Sequence, residues 1–300
     1  MAESDQDIYF TSLMSGLPPE HIVRTFSHFK ALQLEAEQIL KSLREKGDGN
    51  QFMVILNLSA RTIEKLDEEH HSSLGAINYH FQWEGTTGLI KVVPSERHDA
   101  TSNNLGRAID RKLTAMGIRW SEMVWAGTST YKPTAGVGKQ GDQAFLPPAR
   151  CPNGLPSGSW PTFVIEAGVS ESISRLSEDA RRWFIISEGL VRIVIIVSIK
   201  SSQVTFERWQ LAPSNAPRPL TRAYLSPLRA QTPNIPPLAI QSITTQQPYS
   251  AQEVYVEPHR VIGAPLVIPF VAIYDRLPGP GEHDVLLNAQ DFLEITEKLF

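Results

Sequence analysis

Two acidic residues beside strand-like segments are the first candidates for chemistry in this sequence. Glu166 closes the apolar stretch "TFVIE", and Asp142 opens the short segment "DQAFLP". An ionised carboxylate at the end of a buried strand costs free energy unless a partner compensates for it. If the two predicted strands are neighbours, both side chains reach one place. Two carboxylates about 4 Å apart repel by about 4 kcal/mol at an effective dielectric near 20, so such a pair shares a proton or binds a cation.

A divalent cation at this carboxylate pair would define a reaction. Mg²⁺ binds one or two carboxylates and keeps several of its waters. A bound water can then attack a phosphodiester while the metal stabilises the developing negative charge. The alternative is an ordinary ion pair in which Arg181 or Arg192 neutralises Glu166.

The elements around the two acids predict an α/β fold with a mixed sheet and helices on both faces. After a helix at 97–117, the patterns "SEMVWAG", "QAFLP" and "TFVIEAG" predict strands, "ESISRLSEDARRWFIISEG" a helix and "VRIVIIVSI" a strand. Uninterrupted apolar strands indicate a sheet that is covered on both faces. The connection from "TFVIEAG" through the helix to "VRIVIIVSI" predicts a parallel pair. We expect "SQVTFERWQL" to be an outer strand.

The order helix–strand–strand–strand–helix–strand resembles the PD-(D/E)XK nuclease superfamily, which has the restriction-endonuclease-like fold. The pattern "GDQAFLPP … WPTFVIEAGVSES … LSEDARRWFIISEGLVRIVIIVSI" is similar to that superfamily's branch of mostly uncharacterised restriction endonucleases. The resemblance covers residues 97–210. It implies an endonuclease dependent on Mg²⁺ (or Mn²⁺) that cleaves DNA, with RNA as the second choice. The metal ligands that it implies are Asp142, Glu166 and the backbone carbonyl of Ala167.

The basic group of the resembled motif is missing from its usual position. Gly168 stands two residues after Glu166, where the motif has lysine. In the branch with a migrated lysine, that residue lies on the following helix. On a helical wheel Arg181 flanks the apolar face of this helix, whereas Arg175 and Arg182 point away from it.

Arg181 is therefore the predicted partner of the phosphate, although arginine cannot act as a base. Lys139 and Lys200 are the substitutes. The residues predicted to contact nucleic acid are Arg107, Arg111, Lys132, Lys139 and Lys200.

Two other functions stay open. Without its motif lysine, the same fold would act as an inactive binding or interaction protein. A serine hydrolase would use Ser170, because "GVSES" resembles a nucleophile elbow between a strand and a helix; Asp275 and His283 would complete the triad. The simpler interpretation of this serine is a helix cap.

The rest of the chain divides into three accessory parts. Residues 1–96 carry a helix at 20–46 and the first strands, and we expect the helix to dock on the core; a homodimer contact is the alternative. The stretch "GVGKQG" predicts a flexible loop, because no helix follows its glycines. Residues 211–250 predict an extended proline-rich excursion. Residues 251–300 predict a strand, "PLVIPFVAIYD", and a helix packed on the core.

The composition of the chain excludes some classes of protein and favours one cellular setting. The chain has 28 basic and 32 acidic residues, so a strongly basic nucleic-acid binder is excluded. Its one cysteine favours an intracellular setting, cytoplasmic or nuclear. No apolar run is long enough to span a membrane, so no membrane association is predicted.

Overall fold

The computed structural model describes residues 12–46, 49–68, 73–93, 96–132, 136–151, 159–169, 173–230 and 246–300. Over these residues the chain is an α/β protein with two mixed sheets and a further strand pair. The strands are β1 (Ile22–Thr25), β2 (Phe52–Leu56), β3 (Tyr79–Glu84), β4 (Thr87–Val92), β5 (Val124–Trp125), β6 (Thr130–Tyr131), β7 (Val137–Gln140), β8 (Gln143–Leu146), β9 (Phe163–Val169), β10 (Ile193–Ile199), β11 (Val204–Leu211), β12 (Pro248–Glu257), β13 (Arg260–Ile262), β14 (Leu266–Ile268) and β15 (Val285–Leu287). The helices are α1 (Phe29–Lys46), α2 (Ala60–Glu68), α3 (Glu96–Ala115), α4 (Ile173–Ile186), α5 (Arg222–Ala230), α6 (Phe270–Tyr274) and α7 (Ala289–Thr296).

The larger sheet has the strand order β13-β12-β11-β10-β9-β8-β5. Strands β9 and β10 are parallel, with Phe163 opposite Ile193 and Glu166 opposite Ile196. The predicted crossover through α4 is therefore confirmed. Strand β8 runs antiparallel to β9, with Gln143 opposite Ile165. This pairing brings the start of β8, next to Asp142, alongside the middle of β9.

Helices cover both faces of the larger sheet. Because successive side chains of a strand point to opposite faces, the side chains of β9 pack alternately into two different cores. Phe163, Ile165 and Ala167 pack with α3 in one core. Val164 packs with α4 in the other. Glu166 follows the same alternation and faces α4.

The N-terminal sheet has the order β1-β2-β4-β3-β7-β6. One of its faces is covered by the apolar stripe of α1, formed by Leu32, Ala36, Ile39 and Leu43. The stripe is covered within one chain, but by residues of the N-terminal sheet rather than by the core at 97–210 on which docking was predicted. The helix begins at Phe29 rather than near residue 20, because the residues before it form β1.

The glycine-rich stretch is a strand, so the prediction of a flexible loop was wrong. Val137–Gln140 form β7, which pairs antiparallel with β3 and with β6. Its glycine at 138 is required by packing, because a Cβ there would lie 2.1 Å from the ring of Trp83. The glycine spacing of "GVGKQG" resembles that of a nucleotide-binding loop, but here it allows β7 to pack closely against β3.

The prediction of an outer strand after β10 was also wrong. Strand β11 lies between β10 and β12 and pairs antiparallel with both. Strand β12 begins at Pro248, inside the segment predicted as a proline-rich excursion. Residues 222–230 of that segment form α5 instead of an extended chain, and 231–245 lie outside the described residues.

The C-terminal part packs on the core, but its predicted long strand is divided. Pro269 precedes the first turn of α6, so the strand β14 ends and a short helix follows. Helix α7 starts with a capping box formed by Asn288 and Asp291, and Phe292 packs in the same core as α3. No helix in the described part of the chain is long and apolar enough to cross a membrane.

The contact between β7 and Trp83 generates the first prediction. Gly138→Ala should lower the free energy of unfolding by about 1–3 kcal/mol, because the new Cβ overpacks a buried ring that is stacked on Phe81. Gly106→Ala on α3 is the matched control, since its nearest neighbour is 3.7 Å away. That control should be neutral or gain about 0.5–1 kcal/mol. Urea unfolding measures both, and equal stability of the two variants would contradict the described packing.

Candidate functional site

Buried polar residues gather between the N-terminal sheet and α4 with its underlying strand β9. We call this group the interlayer cluster, and its members are His80, Gln82, Lys91, Lys139, Asp142, Glu166, Arg175, Asp179 and Trp183. His80 is the most exposed, with 14% of its side chain accessible. Acids and bases therefore face one another away from water, where a charge needs a partner.

The N-terminal sheet supplies one side of the cluster through strand alternation. On β3, Phe81 and Trp83 point into the core under α1. His80 and Gln82 point the opposite way, toward the larger sheet. Lys91 on β4 and Lys139 on β7 share that polar face.

Asp142 is held against β9 by backbone and side-chain bonds. Its backbone N–H donates to the carbonyl of Ile165 at 3.2 Å. Its Oδ2 accepts from the backbone N–H of Ala167, and its Oδ1 lies 3.0 Å from His80 Nε2. The preceding residue must be small, because a Cβ on Gly141 would come within 3.1 Å of Trp183. The glycine thus allows Asp142 to approach the neighbouring strand.

Glu166 is fixed from two sides. Trp183 Nε1 donates to its Oε1 at 2.5 Å, and Lys139 Nζ lies 3.0 Å from the same oxygen. Burial raises the pKa of Glu166 to about 7. The attraction of Lys139 lowers this pKa, whereas the repulsion of Asp142 raises it. The two predicted carboxylates therefore interact electrostatically.

The cation beside Glu166 is Lys139, not Arg181 or Arg192 as the ion-pair alternative expected. Lys139 Nζ also lies 2.7 Å from Asp179 Oδ1. Arg175 Nη2 reaches that same Asp179 oxygen at 3.0 Å. Burial alone would raise the pKa of Asp179, but Arg175 and Lys139 outweigh it and hold this pKa below its usual range. Asp179 is thus an ionised group that positions Lys139.

The Ala167 carbonyl, the third predicted metal ligand, accepts a hydrogen bond from a lysine. Lys91 Nζ donates to it at 2.7 Å. Lys91 belongs to β4 of the N-terminal sheet and is 7% exposed. The atom implied as a metal ligand therefore already contacts a cation.

Two of the three arginines of α4 are buried on the side opposite its apolar face. Arg175 and Arg182 are buried, and Arg182 pairs with Glu84 at 3.3 Å. Arg181 is partly exposed; it pairs with Glu178 and lies over the ring of Trp209, 5.3 Å from its centroid. Arg175 and Arg182 thus point away from the apolar face, as the wheel predicted, but they are buried because the N-terminal sheet covers this charged side of α4.

Of the residues predicted to contact nucleic acid, one is buried and two form ion pairs. Arg111 pairs with Glu294 and Asp291 of α7, and Lys132 pairs with Asp67 at 2.7 Å. Lys139 is buried, so it is not a surface contact. Arg107 and Lys200 are exposed on α3 and after β10. The predicted basic face of α3 is thus partly neutralised by the acidic helix beside it.

The serine-hydrolase alternative stays a prediction, because Ser170 lies outside the described residues. Of its proposed partners, Asp275 is ion-paired with Arg150 and with Arg192. His283 Nδ1 lies 2.9 Å from the Asp284 carbonyl oxygen.

Sequence reasoning missed the contribution of the N-terminal sheet. Lys91, His80 and Gln82 were not singled out, and neither was Asp179. Two signals pointed to the first three: polar residues alternate with aromatic ones in "YHFQWE", and one lysine interrupts the apolar run "GLIKVV". A charge inside a predicted buried strand requires a buried partner.

The metal-ligating groups present limit which metal ion the candidate site can hold. Within the described ranges, no three His, Cys, Asp or Glu side chains form a group suited to a metal ion. Asp142, Glu166 and the Ala167 carbonyl are all oxygen donors, however, and Mg²⁺ needs few protein ligands. No protein-family model matches the chain, and no curated protein matches it.

The pKa of Glu166 predicts a pH-dependent stability. Between about pH 4.5 and 7 the folded chain keeps a proton on Glu166 that the unfolded chain has lost. The free energy of unfolding therefore falls as pH rises through this window, by at most about 1.4 kcal/mol per pH unit. Glu166→Gln removes this dependence, so the wild type loses stability relative to the variant from pH 5 to pH 7.

Chemical denaturation at several pH values measures this difference, with exposed Glu20→Gln as the control. A constant difference between wild type and Glu166→Gln over that range would show that Glu166 is ionised throughout.

Proposed function

We propose that the chain is a metal-dependent phosphodiesterase of the restriction-endonuclease-like class, acting on DNA or, as second choice, on RNA. One observation carries the proposal: Asp142 accepts a hydrogen bond from the N–H of Ala167, the residue after Glu166, and the ammonium of Lys139 lies 3.0 Å from Glu166. A carboxylate pair, a carbonyl and a lysine are the groups that the resembled motif combines.

Asp142, Glu166 and the Ala167 carbonyl would hold Mg²⁺ or Mn²⁺. When bound, the metal would supply an activated water and stabilise the developing charge on phosphate. The chain's own groups hold the two acids in place: His80 and the Ala167 N–H contact Asp142, and Trp183 donates to Glu166.

Lys139 would take the role of the lysine that is missing at Gly168. It comes from β7 of the other sheet, and Asp179 and Arg175 keep its ammonium near Glu166. Lysine presents a compact charge to a phosphate and can exchange a proton, which the guanidinium of Arg181 cannot do. This assignment replaces Arg181 with Lys139 in the proposed site.

The order of elements supports the class of fold in the proposal. The elements α3, β5, β8, β9, α4 and β10 follow one another as helix–strand–strand–strand–helix–strand. In the larger sheet their strands are neighbours in the order β5-β8-β9-β10. Strands β6 and β7 come between β5 and β8 in the chain but belong to the other sheet.

A second candidate is an inactive interaction protein that keeps this fold. The burial of the site favours it, because Asp142, Glu166 and Lys139 are 6%, 5% and 1% exposed. A phosphodiester would have to reach groups that the two sheets cover. Metal or nucleic-acid binding without cleavage would support this candidate.

Cleavage assays with Mg²⁺ or Mn²⁺ test the proposal. We expect the full chain to cut DNA only with metal, and Asp142→Asn and Glu166→Gln to abolish the cutting. Lys139→Met should slow it by about 10²–10⁴-fold, as for loss of a proton-transferring group.

Arg181→Ala is the contrasting variant, since its side chain pairs with Glu178 on the helix surface. It should keep most of the rate. The proposal is wrong if folded wild type shows no metal-dependent cleavage of DNA or RNA, or if cleavage survives in both acid variants.

A further inference from the structure

We infer that Lys91 competes with the divalent metal for the Ala167 carbonyl and so sets the metal affinity of the site. The inference rests on the proposed function, because it takes Asp142, Glu166 and Ala167 as the ligands. It concerns a residue outside the resembled segment, on β4 of the N-terminal sheet.

The position of Lys91 supports direct competition. Its Nζ is 2.7 Å from the Ala167 oxygen, a short charge-assisted hydrogen bond. The side chain is 7% exposed, so water screens its charge poorly. Its charge also acts on the carboxylates of Glu166 and Asp179. A metal bound to the Ala167 carbonyl would be repelled by the Lys91 ammonium, which lies within hydrogen-bonding distance of the same oxygen.

Charge balance leads to the same inference. Three carboxylates of the interlayer cluster (Asp142, Glu166 and Asp179) face three cationic side chains (Lys91, Lys139 and Arg175). When all three carboxylates are ionised, the formal charges of these six side chains cancel, and a divalent cation would add two positive charges to them. Of the three cations, Lys91 is the one whose ammonium contacts a proposed metal ligand through the Ala167 carbonyl. Lys139 and Arg175 each pair directly with Asp179.

Mn²⁺ titration of the full chain, followed by electron paramagnetic resonance and calorimetry, tests the inference. Lys91→Gln keeps a donor for the carbonyl but removes the charge, and we expect it to bind Mn²⁺ about tenfold more tightly, a gain of about 1.4 kcal/mol. Lys91→Arg keeps the charge and should bind as the wild type does. Exposed Lys41→Gln on α1 is the surface control.

Adding Asp142→Asn to Lys91→Gln should abolish the gain, which would locate the metal at this site. Lys91→Met repeats the test without a donor. Unchanged or weaker Mn²⁺ affinity in folded Lys91→Gln and Lys91→Met overturns the inference. Failure of both neutral variants to fold also overturns it, because Lys91 would then be needed for the fold.

The two proposals fail separately. If wild type cleaves DNA and the neutral variants bind Mn²⁺ no better, only the Lys91 inference is lost. If Lys91→Gln gains Mn²⁺ affinity but no variant cleaves nucleic acid, the Lys91 inference stands and the proposed function fails.

Discussion

Three carboxylates buried between two sheets impose the constraint on which this structure depends. Asp142, Glu166 and Asp179 are each at most 6% exposed. Removing one partner from a buried charged group is strongly destabilising, because the remaining charge has no compensation. Lysines of the N-terminal sheet and an arginine of α4 supply that compensation. The two layers are consequently joined by ion pairs as well as by apolar packing, and their relative position follows from the reach of these side chains.

The same constraint explains why α4 has two buried sides. Leu176, Ala180 and Phe184 pack on the larger sheet. Arg175 and Asp179 face the other way, toward Phe52 and Gln82 of the N-terminal sheet. A one-sided amphipathic helix would leave the second side in water. Here the charged side is buried because a second polar surface covers it.

Much of the larger sheet was predictable from local pattern. The apolar runs of β9 and β10, with the helix between them, were sufficient for their parallel pairing, because such runs occur where both faces are covered. The contact of Asp142 with the residue after Glu166 followed from placing the two acids on neighbouring strands. Strand β11 was misplaced because its partner β12 follows a proline-rich stretch whose composition resembles a linker.

The sequence signals on β3 and β4 mark residues that need buried partners, but they do not show which groups of the larger sheet and α4 those partners are. Lys139 lies in a glycine-rich stretch that reads locally as a loop, and only the ring of Trp83 explains the glycine beside it. Lys91 comes from a part of the sequence outside the resemblance. Charge compensation across sheets depends on tertiary packing, which residue spacing alone does not encode.

The insertion of β6 and β7 between β5 and β8 has a consequence for how the molecule folds. The chain leaves the larger sheet, completes the N-terminal sheet and returns to the larger sheet. No single position in the sequence therefore divides the residues of one sheet from those of the other. Three of the hydrogen bonds that join the two layers link residues that are 76, 97 and 118 positions apart in the sequence. Contacts of such long sequence separation close large loops and form slowly. The candidate site should therefore assemble late, after both sheets exist, and be among the first features lost when the layers come apart.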